Sequence, residues 1–148
     1  MRYKKGNVIR MKTLLALLLL IPSLSWGNIK LVCQGHSMSA TQWSKTGEEF
    51  FSQAKYNEKP SVVVNESIGF ISVRGVSDGI MFYDIPDWKS DDETFYGVAT
   101  NQSNHLLGQI SIDRLSGAMM RESYFNHYND LNLLNKYYYD CNKVERKF

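Results

Sequence analysis

Two cysteines are all that this 148-residue chain contains, and Cys33 and Cys141 stand 108 positions apart. A bond between them would hold the first and last segments of one domain in contact and enclose nearly all of it in a single loop. Whether they pair depends on the compartment. Residues 1–12 carry Arg2, Lys4, Lys5, Arg10 and Lys12 with no acid, and Leu14 to Ile21 is wholly aliphatic. A basic head before a short apolar run is the pattern of a secretory signal. Pro22 breaks the run, and Ser25 and Gly27 supply small side chains for a cleavage between Gly27 and Asn28. The expected division is a signal peptide over 1–27, with Met11 as an alternative start, and a single domain over 28–148. The apolar run falls short of the ~18 residues a spanning helix needs, so no permanent membrane anchor is expected. The expected location is periplasmic or secreted, and there Cys33 and Cys141 should form a disulfide.

Removing 1–27 reverses the charge balance. The remainder keeps 12 Lys and Arg against 15 Asp and Glu, a net charge of −3. Bulk charge therefore gives no support to a nucleic-acid surface.

Most of 28–148 has the period-two pattern of half-buried strands. Ile29, Leu31 and Cys33 share one face, while Lys30 and Gln34 take the other. Ser61 to Asn65 and Ile68 to Arg74 fit a hairpin. Ser77-Asp78-Gly79 is a turn, and Ile80 to Ile85 is apolar on both faces, as in a central or covered strand. Asp87 to Glu93 is a polar loop, and Thr94 to Thr100 is extended again. Leu106 to Asp113 alternates cleanly, and Asp113 to Gly117 has the residues of a type I turn closing on a left-handed glycine. Ala118 to Phe125 follows as a strand. Asn126 to Asn135 reads as a loop with a short helical turn at Leu131 to Leu134, and Lys136 to Val144 as the last strand, with Tyr137, Tyr139 and Cys141 on one face. Thr41 to Tyr56 fits helix or strand, with Gly47 in mid-pattern favouring strand. The expected fold is all-β: an antiparallel up-and-down barrel or two-sheet sandwich of about seven or eight strands, its N- and C-terminal strands joined by the disulfide.

The stretch Gly108 to Gly117, followed by a tyrosine-rich strand ending in Tyr139-Asp140-Cys141, resembles short exported bacterial proteins. In these an I-x-I-D/N-R-x-S/T-G hairpin precedes a near-terminal cysteine. The resemblance covers about thirty residues and implies bacterial export and an all-β domain; it carries no activity. Ser77-Asp78-Gly79 with Trp88-Lys89 is similar to the loops of periplasmic inhibitors of C-type lysozyme, which are small antiparallel barrels. Pro86, the lack of a glycine after Lys89 and the cysteine arrangement depart from that pattern.

The chemistry-bearing residues are sparse. His36, His105 and His127 form no metal-ligand spacing, so no metal and no cofactor are expected. Asp91-Asp92-Glu93 lacks the alternating oxygens and glycine of a calcium loop. There is no nucleophile elbow, P-loop or dinucleotide fingerprint. No catalytic residue is assigned. A small hydrolase using His127 with Asp130, or the carboxylates near Asp92, is the enzymatic alternative. From Asp78 to Tyr96 six acids face Lys89 alone among five aromatic residues. Ser77, Asp78, Trp88, Lys89, Asp91, Asp92 and Glu93 are the candidate binding residues, and a basic extracellular or envelope protein is the partner they would fit. The expected function is a non-catalytic binding module. The alternatives are a lysozyme-inhibitor-like protein and a structural envelope component that packs through an open sheet edge.

Overall fold

Alternation of apolar and polar residues becomes nine antiparallel strands among the described residues, which are 28–87, 91–126 and 132–144 of the computed structural model. In chain order they are β1 (Ile29–Trp43), β2 (Glu49–Lys55), β3 (Ser61–Asn65), β4 (Phe70–Arg74), β5 (Phe82–Asp84), β6 (Thr94–Thr100), β7 (Leu106–Asp113), β8 (Ala118–Asn126) and β9 (Asn132–Lys143). The segment 1–27, with Trp88, Lys89, His127 and Asp130, lies outside the described residues.

From β3 to β9 each strand pairs with the next, and β9 turns back to pair with β1. The other edge of β1 is shared. Its Ile29 to Val32 pair with β3, and its Ser37 to Trp43 pair with β2. The ring through β1, β3 and onward to β9 is therefore a closed barrel of eight strands. β2 hangs on the distal half of β1, outside the ring. Barrel rather than sandwich is the outcome, because first and last strands are joined by hydrogen bonds as well as by sulfur.

Cys33 lies opposite Cys141 in this seam. The Cys33 N–H donates to Pro60 O and the Cys141 N–H to Gly117 O, both at 2.9 Å and both away from the seam. The pair is thus a non-hydrogen-bonded one, the register position at which antiparallel backbones approach most closely. Their Cα atoms are 3.9 Å apart and the disulfide is formed.

The inner faces meet in one core. Val62, Val64, Ile71, Val73, Ile110 and Ile112 are essentially inaccessible, joined by Leu31, Phe95, Met119, Tyr137 and Tyr139. The turn Asp113 to Gly117 forms as its residues require. Asp113 Oδ1 accepts the N–H groups of Leu115 and Ser116, and Gly117 takes φ +75°. A Cβ there would lie 2.1 Å from Cys141 O, so only glycine lets this turn sit on β9.

Three expectations need correction. The strand expected over Ile80 to Ile85 is central, between β4 and β6, but not covered: β5 spans only three residues, with Tyr83 inward and Phe82 66% exposed, since Asp78-Gly79 still shapes the chain at Ile80. Leu133 and Leu134 are not helical; they extend β9 by pairing with Phe125 and Tyr124 of β8. The strand character of Thr41 to Tyr56 is present, but its first residues belong to β1, which runs unbroken from Ile29.

Replacing both cysteines by alanine should lower the unfolding free energy by about 3–5 kcal/mol, because the unfolded chain regains the freedom of a very long loop. Urea unfolding checks this; a loss below about 1 kcal/mol would mean that the β1–β9 ladder alone secures closure.

Candidate functional site

Among the described residues, the interior holds one charge cluster. On β8, residues 119, 121 and 123 share the inward face, which puts Arg121 between Met119 and Ser123 at the barrel centre with 0% exposure. A guanidinium there needs partners on every side. Asp78, in the β4–β5 connection, supplies the charge: both carboxylate oxygens accept from Arg121 Nη2 at 2.7 Å, and the Asp78 side chain is 3% exposed. Arg121 Nε donates to Tyr83 Oη and Nη1 to Tyr139 Oη, each at 3.1 Å, and Nη2 also reaches Ile80 O at 3.3 Å. The Tyr137 ring lies 5.7 Å from the guanidinium carbon. Tyr56 packs edge-on against Tyr139, and Tyr139 Oη donates to Tyr56 Oη at 3.5 Å.

Local sequence explains the placement. Asp78 Oδ1 also accepts the Ile80 N–H, so the turn that the sequence signals is formed and at the same time aims the carboxylate inward. Gly97 on β6 leaves room for Tyr83, since a Cβ there would lie 2.7 Å from Tyr83 Cβ.

Burial opposes the charge on Arg121, but Tyr83, Tyr139 and Asp78 outweigh it and hold the guanidinium above its ordinary range. Burial pushes Tyr83 up to about 12 even though Arg121 pulls the other way. Burial also raises Tyr56, helped by Glu58, and Tyr139, opposed by Arg121. The raised values keep Tyr56, Tyr83 and Tyr139 neutral and Arg121 charged at pH 7, and the hydrogen bonds of Arg121 are made inside the wall. The arrangement ties strands together and offers no free base or nucleophile.

The candidate binding residues divide. Asp78 points inward and belongs to this cluster. Ser77 donates its N–H to Glu58 Oε1 at 3.0 Å. Asp91 Oδ1 accepts the N–H groups of Glu93 and Thr94, so this carboxylate starts β6 while remaining exposed. Asp92 and Glu93 are exposed, as are Asp84 and Asp87. Glu93 O accepts the Arg114 N–H at 2.8 Å, which binds this loop to the β7–β8 turn. Of the aromatic residues in the segment, Tyr83 and Phe95 fill the core and Phe82 faces solvent. Arg114 stacks over Phe95 at 3.9 Å and pairs with Glu66 at 2.9 Å, covering the barrel end. Beside that turn a cleft of about 410 Å³ is floored by Leu31, Phe95 and Ile112.

Comparison with family models, with curated proteins and with solved structures finds no match. Fold and interior by themselves define the class: a small, disulfide-closed antiparallel barrel with a filled, charge-centred interior. The disulfide is that of a protein that folds in an oxidising compartment, consistent with export.

Asp78→Leu should cost about 3–5 kcal/mol by leaving a buried cation unpaired, and Arg121→Met a similar amount. The double variant should recover much of the loss, because it removes both charges; urea unfolding of the four proteins measures the coupling. A strictly additive result would refute the energetic coupling of Asp78 and Arg121.

Tyr83 also makes stability fall in alkali. Its folded value near 12 lies above the ordinary 10.0, so the folded state holds the proton more tightly. The contribution is complete below pH 10 and is lost as pH rises towards 12. Thermal unfolding should show a smaller alkaline decline in Tyr83→Phe than in the parent, the remainder arising from the other buried tyrosines.

Proposed function

We propose that residues 28–148 are a periplasmic or secreted domain that binds a basic protein and performs no chemistry. One observation carries this reading. The charge inside the barrel is neutralised, while Asp84, Asp87, Asp91, Asp92 and Glu93 all face solvent in a segment whose sole basic residue is Lys89. Phe82, 66% exposed and next but one to Asp84, adds an apolar anchor to that acidic side. Acidic side chains steer a basic partner into encounter, and an aromatic anchor supplies contact energy once water is excluded. The commitment of Arg121, Asp78 and the tyrosines to one another supports a scaffold in preference to a catalytic centre.

Titration of the purified domain against a C-type lysozyme, a basic protein whose activity is easily followed, tests the reading. Binding should weaken as salt is raised, lytic activity should fall, and Asp87→Asn/Asp92→Asn/Glu93→Gln should weaken binding by about tenfold or more. Unchanged lysis together with no salt-dependent binding would overturn the basic-partner proposal.

A further inference from the structure

The ring joins each of its eight strands to two neighbours, whereas β2 stands at the end of the strand order with one edge on β1 and the other facing solvent. All seven of its residues are exposed, including Phe50 at 55% and Phe51 at 65%. An open strand of this kind is a template for another strand, and folded proteins ordinarily blunt it with proline, a bulge or a mid-strand charge. Glu49-Phe50-Phe51-Ser52-Gln53-Ala54-Lys55 has none of these: its charges sit only at its two ends and are opposite in sign.

The backbone fixes which groups are available. Tyr56 N–H donates to His36 O, and Ser44 N–H to Glu48 O, so the even-numbered residues turn their backbone groups towards β1. Glu49, Phe51, Gln53 and Lys55 therefore turn theirs outward. We propose that this edge is a self-association surface, in which two copies pair β2 with β2 antiparallel about a twofold axis at Ser52.

That register satisfies the outward groups of both copies and sets Glu49 opposite Lys55 of the second copy, twice by symmetry. Phe51 comes opposite Gln53, with the two Phe51 rings diagonal neighbours within aromatic reach. Phe50 covers Ala54. A shift by two residues in either direction separates both Glu49–Lys55 pairs, and a parallel arrangement sets like charges side by side. The strand is thus self-complementary in one register, as an isologous twofold interface requires. A foreign acidic or basic strand would match only one end.

Sedimentation velocity on the mature protein tests the proposal with variants confined to this exposed strand. The parent should be dimeric at micromolar concentration. E49K and K55E, each placing like charges opposite one another twice, should weaken dimerisation by about tenfold or more. The double variant E49K/K55E should restore it, and so should an equimolar mixture of the two single variants, whose charges complement each other. Q53P, which removes an outward N–H and leaves the β1 ladder intact, should be monomeric with a near-parental urea midpoint. A parent that stays monomeric, single variants that dimerise like the parent, or a double variant and mixture that fail to recover dimerisation would each overturn the proposal.

Discussion

The meeting of β1 with β9 is the contact on which the remaining structure rests. These are the first and last strands among the described residues, so their pairing closes a loop of 108 positions at the cysteines, and the entropic cost of closure grows with loop length. The ladder runs from Leu31 opposite Lys143 to Trp43 opposite Asn132, and Cys33–Cys141 removes most of the closure cost from the unfolded side. Once the seam is shut, the inner faces of eight strands look at one another. Leu31, Val62, Ile71, Ile110 and Tyr139 then lose water together. With the seam open the same sheet would expose two long edges and half its core.

Closure creates a second problem, at β5. This strand has three residues and a single ladder pair with β6, Asp84 opposite Val98, so the wall is thinnest there. Arg121 reaches across the interior from β8 to Asp78, Ile80 O and Tyr83, which lie in or just before β5, and to Tyr139 on β9. Burying the guanidinium costs several kcal/mol, and an aliphatic side chain of equal volume avoids that cost. An aliphatic residue would not aim the Asp78 turn, however, nor choose the direction in which Tyr83 enters the core. The ion pair is best understood as a specifier of one arrangement, with its net contribution to stability secondary.

Much of the fold was legible in the sequence because alternation and turn chemistry are local signals. The inward parity of Cys33 and of Tyr137, Tyr139 and Cys141 brought the two ends together, and Asp113 to Gly117 set the β7–β8 register. The centre of the barrel was less legible. Arg121 carries no motif; its one signal is parity with Met119 and Ser123, and a charged residue in an alternating strand ordinarily belongs to the wet face. Asp78 was legible as a turn residue, yet its ion pair with Arg121, 43 positions away, leaves no trace in local spacing. The lengths of β5 and β9 failed for a related reason. Apolar content placed Ile80 to Ile85 under cover, whereas Met81 and Phe82 face water, and Asn-rich composition marked 132–135 as loop, whereas tertiary pairing with β8 holds it extended.

Stability and the proposed recognition fall on different parts of the chain. A slip in the β1–β9 register at Gly35 to Ser37 marks where β1 leaves the tight part of the wall. Gly35 accepts the Tyr56 ring at that point, since a Cβ would lie 2.9 Å from Tyr56 Cδ1. Beyond it the distal half of β1 is sandwiched between β9 and β2, and β2 contributes no residue to the buried core. The ring thus closes without β2, and Asp84, Asp87, Asp91, Asp92 and Glu93 of the β5–β6 segment are likewise exposed, outside the packing. Selection on a barrel whose interior is already filled and neutralised can act on these outer elements alone. Their charge and apolar surface can change with little effect on the core, which is why the proposed binding and self-association surfaces are both sought on the outside of the barrel.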